Sequence, residues 1–217
     1  MIRVVVYAEG AGELAGAKSL QPAPGSRLSE EELGSAHLLV RRCMEKVRGI
    51  DAALVQFEEP LRTTRGRIAK GSMLHSRDSL RPLLLWPDPR RQPDLAIVLV
   101  DADGDTERQK LLDEAISGVP VQAVVAVAIQ EFEAWLIADP AALKSVLRKP
   151  LSPPKPPEKL SRREAKELLE QWCKDHAGSR DPSELRRNLA EQCDLDTLAQ
   201  KCTAFDSFLR KLEPARS

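Results

Sequence analysis

The chain has 217 residues, 42% hydrophobic and 30% charged, and its 33 basic and 33 acidic side chains cancel. This composition is typical of a folded soluble protein and argues against a disordered chain or one that binds nucleic acid through overall positive charge. The apolar runs are shorter than the roughly 18 residues of a membrane span. Because no charged-then-apolar leader is recognisable, we expect a cytoplasmic protein.

The first 60 residues predict two strands and one helix. Arg3–Tyr7 predicts the first strand and 52–57 the second. Ser29, followed by three glutamates, resembles a capping box and predicts a helix start. Apolar residues at helical spacing extend this helix to Val47.

The middle of the chain predicts a parallel sheet. Residues 62–91 are rich in basic side chains and predict a loop with one short helix over 79–85. Leu95–Val100 is a continuous apolar run, as in the buried strands of parallel sheets. A charged helix over 106–117 and a strand over 121–129 follow. This alternation predicts the α/β class, with a mostly parallel, Rossmann-like sheet flanked by helices.

Five prolines between Lys149 and Pro157 predict an extended linker. We expect an α/β domain over 1–148, a linker over 149–160 and a helical C-terminal subdomain over 161–217 packed on the first. The helices predicted there span 161–176, 182–192 and 195–212. The cysteines show neither CxxC pairing nor zinc-finger spacing, which predicts buried free thiols.

Acidic side chains follow three of the predicted strands. They are Glu9 and Glu13 after the first strand, Asp101, Asp103 and Asp105 after the central strand, and Glu131 and Glu133 after the next. The carboxyl ends of parallel strands share one edge, so these groups are expected to converge on one crevice. Clustered carboxylates need a cation, and oxygen ligands select Mg²⁺, Mn²⁺ or Ca²⁺. A single acidic turn alone more often predicts a solvated loop or helix cap.

Spacing ranks these candidates as ligands. Asp101 and Asp103 point the same way if the chain there is extended, and Asp105 lies in the following turn. Glu131 and Glu133 fall on different faces of a helix, so we expect one ligand between them and favour Glu131.

At these residues the chain resembles the TOPRIM superfamily, found in topoisomerases, primases and overcoming-lysogenization-defect nucleases. The superfamily signature is a Glu-Gly after the first strand and a DxD after a later one, here Glu9-Gly10 and Asp101-Ala-Asp103. More narrowly, the chain resembles a bacterial family of small stand-alone TOPRIM-like proteins. Its further motifs match here as EGxxE at 9–13, EFEAWLxAD at 131–139 and Ser-Phe at 207–208.

The resemblance implies a two-metal site for Mg²⁺ or Mn²⁺. One ion is expected on Glu9, Asp101 and Asp103, and a second on Glu13 with Glu131, to activate a water and stabilise the leaving oxygen of a phosphodiester. Glu9 is then also a catalytic residue. The resemblance further implies an SMC-like ATPase partner and an effector role in phage defence.

Basic side chains between Arg62 and Arg77 are candidates for phosphate contacts. Lys70, beside Gly71, is favoured as a catalytic contact with the scissile phosphate, although a solvated surface loop is an equal alternative. The candidate contacts to nucleic acid are Arg65, Arg67, Lys70 and Arg77.

The leading prediction is a Mg²⁺- or Mn²⁺-dependent nuclease acting on DNA or RNA. Two alternatives stay open: a scaffold that binds an ATPase partner or nucleic acid without cutting, and a metal-dependent phosphatase or nucleotidyl transferase. The sequence contains no GxSxG, HExxH or P-loop motif. It therefore gives no support to a serine hydrolase, a zinc protease or a self-sufficient ATPase. The oligomeric state, a homodimer included, is left open.

Overall fold

The computed structural model describes residues 1–16, 25–63, 65–176 and 181–214. Within these ranges, four strands form one all-parallel sheet in the order β2-β1-β3-β4. The strands are β1 (Ile2–Ala8), β2 (Val55–Glu58), β3 (Leu95–Asp101) and β4 (Gln122–Ala128). The predicted class is confirmed: the fold is α/β, with a parallel sheet flanked by helices, as in Rossmann-like folds.

Ten α-helices accompany the sheet in the part of the chain that is described. They are α1 (Ala11–Leu14), α2 (Ser35–Arg48), α3 (Arg77–Leu80), α4 (Arg108–Ile116), α5 (Glu133–Leu136), α6 (Pro140–Leu147), α7 (Glu164–His176), α8 (Pro182–Gln192), α9 (Leu195–Lys201) and α10 (Thr203–Leu212). None of the helices described has the length and apolar character needed to cross a membrane.

The sheet is covered on both faces, which explains why its inner strands are apolar throughout. Side chains alternate along a strand, so Val4 and Ile97 pack with α2 and the C-terminal helices. Val5 and Val98 instead pack with α4 and the connection between β2 and β3. All four cysteines are buried thiols outside disulfides, as predicted.

The carboxyl ends of β1 and β3 form the topological switch point of the sheet. β1 is central, with β2 on one side and β3 on the other. β1 and β3 are paired from Val4↔Leu95 to Ala8↔Leu99. The chain leaves β1 toward β2 and later returns to the opposite side. Open α/β sheets bind ligands in the crevice that such a reversal creates.

The first long helix begins later than its capping box predicted. The backbone N–H of Ser29 donates to Glu32 Oε2 at 2.7 Å, which is one of the two bonds of a capping box, and the Ser29 hydroxyl donates to the same oxygen at 2.8 Å. These residues nevertheless close a separate 3-10 turn, and α2 starts only after Gly34. A Cβ at Gly34 would lie 2.4 Å from the Glu13 carbonyl oxygen. This close contact with Glu13, which the local sequence does not reveal, separates the 3-10 turn from α2.

The predicted helix over 195–212 is two helices, α9 and α10. Cys202 between them is extended, with φ −127° and ψ 102°. Oxygens of the Glu158 side chain accept the N–H groups of Thr203 at 2.7 Å and Ala204 at 2.9 Å. This carboxylate caps the start of α10. The break therefore depends on a residue 45 positions away.

The segment predicted as a linker lies against the rest of the protein. Pro157 is buried, and Leu160 is 1% exposed within the main core. Described residues of α7 to α10, among them Leu169 and Leu212, belong to the same apolar cluster as β1 and β3. The C-terminal helices therefore help to cover the sheet rather than enclosing a core of their own.

Trp135 stands at the centre of an aromatic cluster below the carboxyl edge of the sheet. Its side chain is 1% exposed. It meets Phe132 and Phe205 edge-on, at centroid distances of 6.0 and 5.2 Å, and stacks on Phe208 at 6.1 Å. The tryptophan of the EFEAWLxAD motif is therefore a core residue.

Replacing Trp135 with Ala is expected to lower the free energy of unfolding by about 3–5 kcal/mol, the usual cost of truncating a buried aromatic side chain. Urea denaturation measures this change. Leu111→Ala is the control, because Leu111 is 52% exposed and its loss is expected to change stability by at most about 0.5 kcal/mol. Equal changes in the free energy of unfolding for both substitutions would contradict the assignment of Trp135 to the core.

Candidate functional site

Two carboxylates from distant parts of the chain meet at the switch point. Glu9 directly follows β1, and Asp101 ends β3. Oε2 of Glu9 accepts a hydrogen bond from the backbone N–H of Asp101 at 2.9 Å. The backbone N–H of Glu9 donates to the carbonyl of Leu99 at 3.1 Å. The pairing of β1 with β3 thus continues into the site and holds the two acidic residues side by side.

Glu13 is brought beside them by a tight turn in which Gly10 leaves room for its carboxylate. The N–H of Gly10 donates to Glu13 Oε2 at 3.0 Å, and a Cβ at residue 10 would lie 2.4 Å from Oε1. A side chain at residue 10 would collide with this carboxylate, which is buried at 6% exposure. The turn supplies a physical reason for the Glu-Gly pair and for the spacing between Glu9 and Glu13.

Glu133 is the fourth carboxylate, and it is paired with an arginine that sequence reasoning missed. Nε of Arg186, on α8, donates to Glu133 Oε1 at 2.9 Å, and both side chains are 6% exposed. Arg186 lies on the buried face of α8 with Leu185 and Leu189. The helical spacing of these leucines was the available signal, because it places an arginine on an apolar face.

The four residues Glu9, Glu13, Asp101 and Glu133 are called the acidic cluster below, and two of them, Glu13 and Asp101, have raised pKa values. Burial, reinforced by the charges of the other three, raises the pKa of Asp101 to about 9. Burial, with smaller contributions from Glu133 and Glu9, raises the pKa of Glu13 to about 8. Buried carboxylates that repel one another are stabilised by protons or by a bound cation.

The loop Arg62–Arg77, called the basic loop below, borders Glu9. Nε2 of His75 lies 2.9 Å from Glu9 Oε2, and the N–H of Gly71 donates to the Glu9 carbonyl at 3.0 Å. His75 is thus a further residue of the site. Four exposed side chains of the loop are the predicted phosphate contacts: Arg65, Arg67, Lys70 and Arg77.

Asp103 and Asp105, both predicted ligands, lie outside the acidic cluster. Asp103 pairs with Arg162, whose Nε is 3.1 Å from Oδ1. Oδ1 of Asp105 instead accepts the N–H of Glu107 at 3.0 Å, near the start of α4. The prediction assumed an extended chain, but φ is +52° at Asp103 and +84° at Gly104. This left-handed turn leads the chain away from the direction of Asp101.

Glu131, the favoured member of its pair, is bonded to α7 instead. Its Oε2 accepts the N–H of Lys166 at 3.1 Å, in the first turn of α7. The residue before it, Gln130, has a left-handed φ of +68°, so the chain turns sharply between β4 and α5. Glu131 therefore caps α7, while Glu133 lies in the acidic cluster.

Phe132 and Asp139 fix the backbone on either side of α5. The N–H of Phe132 donates to Asp101 Oδ1 at 2.9 Å, which ties the end of β3 to the start of α5. Oδ1 of Asp139 accepts the N–H of Ala141 at 2.8 Å and caps α6, whose first residue is Pro140. Asp139 is thus a helix cap, and the proline after it occupies the first position of α6, where proline is favoured.

The acidic cluster fits a divalent cation in donor chemistry, but its side chains are not arranged as a closed ligand shell. All donors are carboxylate oxygens, the ligands of Mg²⁺ and Mn²⁺. Among the described residues, no group of three or more His, Cys, Asp or Glu is placed to hold a metal ion. Oxygens of Glu9 and Glu13 accept backbone N–H groups instead. Coordination therefore requires these side chains to rearrange.

A surface depression of about 600 Å³ runs along α4, between Thr106 and Ser117. It shares no lining residue with the acidic cluster. Its walls come from one helix and the turn before it, and its lining residue Asp113 is paired with Lys211 at 2.7 Å. We place the candidate function at the acidic cluster, where residues from several elements converge.

A protein-family model described as Domain of unknown function (DUF4276) matches residues 35–213. The matched stretch contains Asp101, Glu133 and Arg186, whereas Glu9 and Glu13 precede it. Comparisons with curated proteins and with solved structures found no match.

Proposed function

We propose that this chain, which belongs to the DUF4276 family, is a divalent-metal-dependent nuclease that hydrolyses phosphodiesters of DNA or RNA at the acidic cluster. The observation that carries the proposal is the hydrogen bond of 2.9 Å from the backbone N–H of Asp101 to Oε2 of Glu9, at the switch point of the sheet. Ligand sites of open α/β folds lie at such positions. The resemblance of the Glu-Gly and DxD motifs to TOPRIM proteins supports the same function.

Glu9, Glu13 and Asp101 would hold the cation, Mg²⁺ or Mn²⁺. When bound, the metal supplies a Lewis acid for a phosphoryl oxygen. His75 and the N–H of Asp101 fix one oxygen of Glu9. The carboxyl of Asp101, with its pKa raised to about 9 by burial and its neighbours, must give up its proton before it can coordinate.

The basic loop favours a polymeric substrate over a mononucleotide. Its exposed cations are spread from Arg65 to Arg77, which suits contact with several backbone phosphates. The zero net charge of the chain gives no long-range attraction to nucleic acid. We include in the proposal the SMC-like ATPase that the resemblance implies, as the partner that captures the substrate for a phage-defence effector.

Cleavage assays test the proposal on supercoiled plasmid and on single-stranded RNA, with Mg²⁺, Mn²⁺ or EDTA. Wild-type protein is expected to cleave at least one substrate only with metal, and Glu9→Gln is expected to be at least about 100-fold slower, because it removes a metal ligand. Asp105→Asn is the matched control. Asp105 also follows β3 but is exposed outside the acidic cluster, so this variant should keep near wild-type rates.

Three outcomes would overturn the nuclease proposal. Hydrolysis of mononucleotides without polymer cleavage would favour the phosphatase alternative. Binding of nucleic acid without cleavage, with or without the ATPase, would favour the scaffold. Equal rates for wild type and Glu9→Gln would show that the activity arises elsewhere.

A further inference from the structure

Arg162 is an exposed arginine that is held at the carboxyl edge of the sheet. Its Nε lies 3.1 Å from Asp103 Oδ1, and its Nη2 donates to Asp103 Oδ2 at 3.2 Å. Such paired contacts fix the plane of a guanidinium against a carboxylate. They use only part of its N–H donors, and the side chain is 69% exposed. The remaining donors are therefore available to a ligand.

A second bond holds the segment 161–166, which carries this arginine, at the same edge. Oε2 of Glu131 accepts the N–H of Lys166 at 3.1 Å. The residue after Glu131 is Phe132, whose N–H donates to Asp101 Oδ1 at 2.9 Å. The segment is thus fixed to a turn that itself contacts a member of the acidic cluster.

The acidic cluster lies between the segment 161–166 and the basic loop. In the sheet order β2-β1-β3-β4, the basic loop follows β2 and contacts Glu9, at the end of β1, through His75. The segment is instead bonded to residues that follow β3 and β4. Neighbouring strands are about 4.8 Å apart, so the ends of β1 and β4 are separated by about 10 Å. Positive side chains therefore border the cluster on both sides.

The pair of Arg162 with Asp103 is not explained by stability. An ion pair with so exposed a partner contributes little to folding. Asp103 also adopts a left-handed φ of +52°, and non-glycine residues in this conformation are concentrated at functional sites. The turn directs the Asp103 carboxylate to the arginine rather than to the acidic cluster.

We propose that Arg162 binds a backbone phosphate of the nucleic acid, on the side of the acidic cluster opposite the basic loop, and that Asp103 is the positioning residue that holds its guanidinium there. This inference rests on the proposed function, because it takes nucleic acid as the substrate. It gives the second aspartate of the DxD motif a role other than the metal binding that the TOPRIM resemblance implied.

Fluorescence anisotropy in EDTA, with labelled single-stranded RNA and duplex DNA, tests the phosphate contact. Arg162→Gln is expected to weaken binding about 5- to 10-fold and to lower the slope of log affinity against log salt by about 0.7 on the single strand or 0.9 on the duplex, the share of one phosphate. Arg163→Gln is the matched control. Arg163 has the same charge and is 70% exposed, but its Nε faces Glu167 Oε1 on α7 at 3.9 Å, so its loss should change affinity by less than about 2-fold.

The Asp103→Asn variant distinguishes a positioning residue from a metal ligand. Asparagine tolerates the left-handed backbone, but it lacks the charge and the second oxygen that hold the guanidinium. Calorimetry with Mn²⁺ is expected to give an affinity close to that of wild type, whereas Asp101→Asn should lose it. In the Asp103→Asn background, the loss of affinity for RNA caused by Arg162→Gln is expected to be at least about 2-fold smaller than in wild type.

The outcomes separate this inference from the function it rests on. Equal losses for Arg162→Gln and Arg163→Gln, or a wild type that binds neither probe, would overturn the phosphate contact. Loss of Mn²⁺ binding in Asp103→Asn would overturn the positioning role. Binding that depends on Arg162, without cleavage in the presence of metal, would support this inference and overturn the nuclease. Circular dichroism confirms that each variant is folded.

Discussion

The Asp101→Asn variant is expected to be at least about 100-fold less active than wild type in metal-dependent cleavage, and yet more stable at pH 8. Activity falls because a carboxylate ligand of the cation is lost. Folding is not expected to suffer, since an asparagine oxygen can still accept the hydrogen bond that Asp101 Oδ1 receives from the N–H of Phe132. The gain in stability arises because Asp101 of the wild type has to keep a proton in the folded protein, whereas asparagine does not titrate.

The sign of the pH effect follows from where Asp101 keeps its proton. Burial and neighbouring carboxylates raise its pKa from 3.8 to about 9 in the folded protein. Between these values the folded carboxyl holds a proton that the unfolded chain has released. The stability tied to that proton is complete below about pH 3.8 and is lost as the pH rises toward 9. Asparagine does not titrate, so the variant avoids this loss.

Urea denaturation at pH 5 to 9, without metal, measures the difference between the two proteins. The free energy of unfolding of wild type is expected to fall with pH, by up to about 1.4 kcal/mol per unit more steeply than that of Asp101→Asn. Asp105→Asn is the control, because Asp105 is exposed, and its profile should parallel wild type. Parallel profiles for all three proteins would refute a buried, protonated Asp101.

Added metal should narrow the difference in stability between the two proteins. Mn²⁺ at about 100 times its dissociation constant is expected to stabilise the wild type by about 2.7 kcal/mol. The Asp101→Asn variant should gain far less, since one of the ligands is gone. A site that lowers the stability of the metal-free protein and serves a purpose only when metal is bound is typical of a functional centre.

The meeting of Glu9 with Asp101 could be predicted because it depends only on strand order and direction. Two continuous apolar runs indicate buried parallel strands, and the residues that follow such strands share one edge of the sheet. The same reasoning failed for Asp103, since the left-handed backbone at Asp103 and Gly104 turns the chain away. Aspartate and glycine both tolerate that conformation, but these residue types alone do not show that it is adopted.

The roles of residues that depend on long-range packing could not be predicted from local sequence patterns. Arg186 is separated by 53 positions from Glu133, its partner in the acidic cluster. Similarly, Glu158 caps a helix 45 residues away, so neither the break at Cys202 nor the role of Glu158 is visible in its neighbours. Spacing along one helix identifies a buried face, but the element that packs there is decided by the tertiary fold.

Removing the cations of the basic loop is expected to weaken nucleic-acid binding by about 10- to 100-fold while leaving Mn²⁺ binding unchanged. The variant replaces Arg65, Arg67, Lys70 and Arg77 with alanine; all four side chains are exposed. Each lost phosphate contact should reduce the slope of log affinity against log salt by about 0.9 on duplex DNA. The fold should tolerate the change, because the buried anchors of this connection, Leu74 and Leu80, are kept.

Fluorescence anisotropy with labelled duplex DNA and single-stranded RNA, over a range of salt concentrations, measures both the affinity and the slope. The Asp101→Asn background is used, so that cleavage does not consume the probe. Arg90→Ala is the control, since Arg90 is exposed but precedes β3, at the end of the sheet opposite the acidic cluster. If this control lowers the slope as much per charge as the loop variant, binding is a general surface effect, and the basic loop does not guide phosphates to the site. A loss confined to the loop variant would place the substrate backbone beside Glu9, within reach of the cluster that we propose cleaves it.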